Sequence, residues 1–516
     1  MRRIGVAFQN GLGVPRSYSK AMDWYRLAAA RGDADAMRNI GAGYTEGWGV
    51  LRSHKKAMRW FRKSAANGCA LAMVDIGVAY QKGWGVTRNY KKALDWFRLG
   101  VAHGCALAMF DVGVCRARGW GARKSLGKAA TWYRRAANAG NAIGMLALAN
   151  AYRRGHGVAR NYAKAMAWFR EAAAMGDVPA MDSIGELYFK GRAVAQSYAE
   201  AMKWWHKAAA AGNSYAMYSI GVLHEDGLGV PQGYAKAMSW YRKAAAAGSG
   251  DAMYNIGVCY EKGHGVSKDY AEALNWWRKA ADAGVGPAMN NIGMLYNGGH
   301  GVARNYIKAM KWFRNAAAVG EGLAMKHIGD LYWHGLGVPR NYISAMAWYR
   351  KAVAAGNLPA MTNIGLMYFE GRGVPKNYAK AMVWWRKAGA AGNGRAANDL
   401  GALYARGLGV SQSYTKAMLW YRKASAEGSV YALEDIGGLY EVGLGVPRSY
   451  SKALVWYRKA AAAGCATAMT RIGVFYFKGH GVPKNISKAK AWFEKAAAAG
   501  DPRGKQALEE LQTLAH

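Results

Sequence analysis

Tryptophan recurs in this chain at a fixed interval of 36 residues, from Trp24, Trp60 and Trp96 to Trp492, fourteen times without an insertion. Around each Trp the frame is constant. Ala lies three residues before (Ala21 to Ala489), an aromatic residue one after (Tyr25, Phe61, Trp205, Phe493), and Gly both thirteen before (Gly11 to Gly479) and eight after (Gly32 to Gly500). A repeat of this length is one supersecondary unit that cannot bury its apolar face alone and must stack on copies of itself. The 516 residues therefore read as one array rather than as several domains.

Each unit reads as a helix hairpin. From Ala252, the residues Met253, Ile256, Gly257 and Tyr260 fall three and four apart on one face of a first helix. Gly257 leaves room for a neighbouring helix, and Gly263 and Gly265 end the helix and turn the chain. Asp269 occupies an N-cap position held elsewhere by Ser17, Asn89, Asn161, Ser197 and Asn341. The second helix carries Tyr270, Ala273, Leu274, Trp276, Trp277, Ala280 and Ala281, apolar on two faces, and Gly284 stops it. The frame Trp is expected to fill the core, so that Trp312→Ala costs about 3–5 kcal/mol, whereas Lys308 lies on the exposed face.

The expected fold is an all-α solenoid of fourteen 36-residue antiparallel hairpins. The repeats are placed at 1–35, 36–71, 72–107, 108–143, 144–179, 180–215, 216–251, 252–287, 288–323, 324–359, 360–395, 396–431, 432–467 and 468–503, with a capping helix at 504–516. Residues 108–149 break the frame repeatedly: Arg116 replaces a Tyr, Ala122 a Val, Leu126 a second Tyr, Ala130 a Met and Ala149 a Gly. This is the weak point of the array.

Residues 216–248 carry the pattern almost whole: Ala216, Met217, Ile220, Gly221, Gly227, Gly229, Val230, Tyr234, Lys236, Ala237, Met238, Trp240, Tyr241, Arg242, Lys243, Ala244, Ala245 and Gly248. This resembles the Sel-one-like repeat (SLR) family, a relative of the tetratricopeptide repeat, over essentially the whole chain. The resemblance implies a right-handed superhelix of paired antiparallel helices and adaptor or scaffold roles in signalling, protein quality control, envelope assembly and host contact, without naming a partner. The chain departs from the family where acids usually flank the second-helix Tyr: Ser17, Asn161, Ala163 and Ala235 stand there, and only Glu200, Asp269 and Glu272 keep an acid.

The formal net charge is +40. Base recurs at four frame positions, represented by Arg16, Lys20, Arg26 and Lys63, and the second helices are expected to form a basic outer face. Such a face suits a polyanion (nucleic acid, anionic lipid or acidic polysaccharide), or it serves solubility alone. A base-per-repeat reading code is not discernible, because the positions that would read bases are mostly small or apolar.

Two sets of residues stand out as candidate partner-binding positions. One first-helix position is polar nearly throughout: Asn39, Asp75, Asp111, Ser183, Ser219, Asn255, Asn291, Asn363, Asp399 and Asp435. Asn offers donor and acceptor to an extended peptide backbone; the competing role is a hydrogen bond that positions the helix. The other set is Trp48, Trp84 and Trp120, between the two turn glycines of successive repeats. They form either an apolar strip for a partner or caps that pack on the adjacent turn.

His156, His264, His300 and His480 share that turn position, but turns of adjacent repeats lie too far apart for a shared metal ion. Ser17 and Lys20, like Ser449 and Lys452, have a catalytic-looking spacing, which arises because an N-cap Ser precedes an exposed Lys. No catalytic residue, cofactor or metal is expected. Cys69, Cys105, Cys115, Cys259 and Cys465 take the places of small residues and suggest no disulfide framework.

The expected function is a non-enzymatic scaffold that binds a protein or peptide on its superhelical concave surface, lined by first helices, with polyanion binding through the basic second-helix face as the alternative. No apolar run is long enough for a transmembrane segment or a signal peptide, which reads as cytoplasmic. Met1-Arg2-Arg3-Ile4-Gly5 aligns with Met37-Arg38-Asn39-Ile40-Gly41, inside a first helix. The expectation is therefore that further repeats precede Met1, in which case an envelope or secreted location is compatible as well; the alternative is that a half-helix end is tolerated.

Overall fold

The computed structural model describes residues 1–513; the last part of the expected cap, residues 514–516, lies outside the described residues. Among the described residues there are 29 helices and no strand. They alternate as the sequence predicts, for example Ala34–Glu46 followed by His54–Ala66, then Ala70–Lys82 followed by Tyr90–Ala102. The chain divides into two compact units, Met1–Ala252 with His264–Val266, and Met253–Gly263 with Ser267 onward.

Local chemistry sets each helix end. The Asn89 side chain accepts from Lys92 N at 2.9 Å and the Asp269 side chain from Glu272 N at 3.0 Å, satisfying donors that a helix start leaves open. Gly49, at φ 66°, closes the turn in a left-handed conformation, and a Cβ there would lie 2.5 Å from the Tyr18 backbone of the preceding repeat. This glycine is needed twice, for its dihedral and for close approach.

The core interlocks a first-helix glycine with a second-helix ring. A Cβ on Gly41 would come within 2.4 Å of the Phe61 ring, and one on Gly293 within 2.5 Å of Phe313. The buried aromatic is therefore the residue after the frame Trp. Tyr25, Phe97, Phe169, Tyr241, Trp277 and Phe313 are all buried, whereas Trp312 is only half-buried. This corrects the expectation that the frame Trp fills the core. The Trp sits at the helix flank, where a Lys three residues later covers its ring: Lys279 lies 4.1 Å from the Trp276 centroid and Lys243 4.2 Å from that of Trp240.

Neighbouring repeats are joined by a recurring clamp. The Arg two residues after the frame Trp donates to the first-helix Tyr hydroxyl of the next repeat: Arg62 to Tyr80 at 3.2 Å, Arg170 to Tyr188 at 3.0 Å, Arg350 to Tyr368 at 3.2 Å and Arg458 to Tyr476 at 3.0 Å. The same Tyr rings are covered by a Lys of their own repeat, as by Lys92 at 5.7 Å on Tyr80. Of the four basic frame positions, the Arg thus joins neighbouring repeats and this Lys packs within its own. Between Arg98 and Arg116 no Tyr hydroxyl is offered, and Arg98 pairs with Asp95 of its own helix at 3.4 Å; Arg26 pairs with Asp23 in the same way, at 3.1 Å, although Tyr44 is in place.

Helix Pro502–Thr513 follows the last hairpin, and its Ala507, Leu508 and Leu511 pack on that repeat. Asp501, just before it, is buried and accepts from Thr470 Oγ1 at 2.6 Å.

Candidate functional site: the first-helix groove

The first helices of neighbouring repeats touch in the first unit, as Ala70–Lys82, Ala106–Arg118 and Ala142–Arg154 do, so they form its inner side. In each unit the cavities are lined mainly by first helices.

The second unit holds a long groove. A cavity of about 620 Å³ is lined by Phe369, Trp385, Arg395, Asn398, Asp399, Arg406, Tyr421, Glu434 and Asp435 among others. A second, of about 290 Å³, is lined by Asp330, Trp333, His334, Tyr349, Thr362 and Asn363. The two share Leu366, Arg395 and Asp399, so the groove runs continuously over four repeats.

Its floor is polar and incompletely satisfied. Asp330 accepts from the Tyr349 hydroxyl at 2.9 Å and from Asn363 Nδ2 at 3.3 Å. Thr362 is buried and its Oγ1 has no hydrogen-bond partner; Asn398 Oδ1 has none either. Burial pushes the Asp399 carboxyl up to about 6 against the pull of Arg395. Asp435 is raised to about 6 by the same cause, with the Asn398 amide beside it acting the other way. Buried groups in this state present hydrogen-bonding capacity that the rest of the protein leaves partly unused.

The candidate positions fall in two structural settings. The polar first-helix position meets the residue before it in the preceding repeat. Asp75 accepts from Arg38 Nε at 2.6 Å, and His327 Nδ1 lies 3.0 Å from Asn290 Oδ1. Asn291 and Asn39 act on the Tyr254 and Tyr25 hydroxyls, lowering their pKa against the effect of burial, and Asn255 is half-buried. The residue that matches Arg38 for Asp111 is Val74, which offers no hydrogen bond; burial pushes the Asp111 carboxyl up to about 7. Asn363 and Asp399 come together in the groove of the second unit.

Trp48, Trp84 and Trp120 each stack on the first residue of the preceding second helix: Tyr18 at 5.6 Å, His54 at 5.2 Å and Tyr90 at 5.1 Å between centroids. His264 and His480 make the same contact with Tyr234 and Tyr450, at 4.2 and 4.4 Å. Trp84 also lines a small cavity of about 180 Å³ with His54, Phe61 and Asp75.

Sequence reasoning did not single out Asp330, Arg395, Asn398 or Glu434. They lie one position before, or three after, the polar first-helix position, or at the entry to the helix. The signal was available: those positions vary between repeats, as the polar first-helix position does.

Charge separates by element. The fourteen second helices hold 39 Lys and Arg against 7 Asp and Glu, and the fourteen first helices 14 against 16. Among the described residues, no three His, Cys, Asp or Glu side chains gather as metal ligands and no helix is long and apolar enough to cross a membrane. No disulfide joins the five cysteines, and burial pushes the Cys115 thiol up to about 12.

Stacked hairpins, inter-repeat clamps and a groove along one helix layer define a tandem-repeat helical solenoid of the kind that generally mediates protein–protein interaction and is typically non-catalytic. The Sel1 repeat family model matches fourteen times, from residues 1–33, 34–69 and 70–105 through 466–501, and the chain belongs to that family. These limits differ by two residues from the repeat frame read from the sequence, and most first helices begin at the matched limits, as at Ala34.

The chain is 30% identical to a protective antigen of uropathogenic Escherichia coli described as displaying an SLR fold, covering 89% of this chain and 97% of that one with a TM-score of 0.55. A Sel1 repeat protein from Oxalobacter formigenes is 34% identical over 48% of this chain and 98% of its own, with a TM-score of 0.44. Comparison with curated proteins finds no match.

Proposed function

We propose that the protein is a non-enzymatic scaffold that holds an extended segment of a partner protein along the first-helix groove of its second unit. One observation carries this reading: the continuous furrow from Asp330 to Asp435, whose buried Thr362 Oγ1 and Asn398 Oδ1 lack partners. An extended backbone brings alternating N–H and C=O groups at strand spacing, and it would satisfy such atoms while its side chains meet Phe369, Trp385 and Tyr421. The polar positions Asn39, Asp75, Asp111, Asn255 and Asn291, and the rings of Trp48, Trp84 and Trp120, would extend the contact on other repeats. The competing alternative, a polyanion bound through the second helices, draws on their charge alone.

Affinity capture with three forms of the full chain separates the two: wild type, the groove variant Asn363→Ala/Asn398→Ala/Asp435→Asn, and the outer variant Lys387→Gln/Lys423→Gln. A partner lost by the groove variant and kept by the outer one, with weak dependence on salt, is the expected result. A partner lost only by the outer variant, with affinity falling steeply with salt, would overturn the proposal in favour of a polyanion.

A further inference from the structure

The outer helices of the second unit carry a feature that repeat packing does not require. In the helices Tyr306–Ala318, Tyr342–Ala354, Tyr378–Ala390, Tyr414–Ala426 and Tyr450–Ala462 a large aliphatic side chain stands in solvent. These are Ile307, 71% exposed, Ile343, 72%, Val383, 50%, Leu419, 64%, and Val455, 52%. The first two occupy the position five before the frame Trp and the other three the position just before it, four residues apart on one helix face. In the first unit the second of these positions holds Asp23, Arg59, Asp95, Thr131, Ala167, Lys203 and Ser239, polar in all but one case.

The surroundings of these aliphatics have one sign. The same five helices contain 14 Lys and Arg and no Asp or Glu. Arg386 and Lys387 follow Val383 by three and four residues, Arg422 and Lys423 follow Leu419, and Arg458 and Lys459 follow Val455 likewise, so these three aliphatic tips are flanked by cations on their own face, and Lys311 follows Ile307 by four. Half-buried indoles flank the aliphatics, with Lys351 4.3 Å from the Trp348 centroid and Lys459 4.5 Å from that of Trp456.

We propose that the outer face of residues 306–462 docks on an anionic lipid bilayer. Aliphatic tips that enter the headgroup region, amphipathic indoles at that level and Lys and Arg over anionic headgroups are the three components of interfacial binding. Nucleic acid would use the cations and leave the aliphatics without purpose. A second copy of this face would set Lys and Arg against Lys and Arg. A protein partner takes its apolar anchors clustered in a desolvated pocket, whereas these are spaced along the array, one to a repeat, and none of them lines the groove cavities. The groove and the docking face lie on different helix layers, so this proposal is independent of the scaffold reading.

The test is vesicle flotation of the full chain at physiological salt, with phosphatidylcholine alone and with phosphatidylcholine mixed with phosphatidylglycerol. Wild type should float with the mixed vesicles and not with the neutral ones. The variant Ile343→Ser/Leu419→Ser/Val455→Ser changes only exposed tips, and an unaltered thermal melt confirms that it folds. It should partition about tenfold less to the mixed vesicles, since binding scales with inserted apolar area, and should bind a DNA duplex as wild type does. Lys387→Gln/Lys423→Gln/Lys459→Gln should weaken both. Equal flotation on neutral vesicles, no flotation on the mixed ones, or an aliphatic variant that partitions like wild type would each overturn the proposal, the last by reducing the face to a charge-only polyanion surface.

Discussion

Trp312 and Phe313 are neighbours with opposite surroundings, and the difference decides which one carries the fold. Phe313 is buried against Gly293, where a Cβ would have no room, while Trp312 lies half-buried at the flank. Phe313→Ala should cost about 3–5 kcal/mol, as for a core aromatic truncated to a cavity, and Trp312→Ala clearly less. Denaturant melts of the two variants check this order, and a larger loss at Trp312 would refute it. The Trp ruler was legible in the sequence; which of two adjacent aromatics points inward was not, because both lie on the apolar arc of the helix. Asp111 offers a second test. Its carboxyl is raised from 3.8 to about 7 by burial, so the folded state binds more protons than the unfolded one between these values, and stability falls as pH rises through that window. Asp111→Asn should remove this dependence and stabilise the chain at pH 8 by about 1–3 kcal/mol. Melts from pH 4 to 8 should show the variant's advantage growing with pH; an advantage that shrinks would reverse the sign.

At the scale of the element, the hairpin was almost wholly readable and its coupling to the next hairpin was not. Glycines, caps and apolar spacing are local signals that repeat fourteen times. The Arg-to-Tyr clamp spans 18 residues, and the contact of Arg38 with Asp75 spans 37; both depend on the rotation between repeats, which no local pattern encodes. The same reason hid the groove, since Asp330, Asn363 and Asp399 come from three repeats. The helix Ala106–Arg118 shows what losing the clamp means. Arg116 replaces the Tyr, its Nε is buried without a partner, and Arg98 turns to its own helix. Arg116→Tyr should supply the missing hydroxyl to Arg98 and a ring to Lys128, stabilising the chain by about 0.5–1.5 kcal/mol. In wild type, hydrogen exchange should be fastest over residues 108–149 among internal segments, and the variant should slow it there. Uniform protection from residue 72 to residue 200 would contradict this account.

For the whole molecule, the formal +40 is concentrated on the second helices, whose surplus of 39 bases over 7 acids is set against near balance on the first. Part of this charge has a packing role, because Arg clamps neutral Tyr hydroxyls and Lys covers Trp rings. Neither contact is an ion pair, so added salt screens the repulsion among the cations more than it weakens what binds the repeats together. The ion pairs that do exist are largely at the surface and contribute little. Stability should therefore rise with salt. Tm measured in sodium chloride between low and physiological ionic strength should increase, and Lys387→Gln/Lys423→Gln/Lys459→Gln should flatten the rise by removing repelling charges. Because chloride acts here by screening, a potassium or sodium salt of the same ionic strength should give the same curve. A Tm that falls with salt would mean that ion pairs, and not the Arg–Tyr clamps, hold neighbouring repeats together.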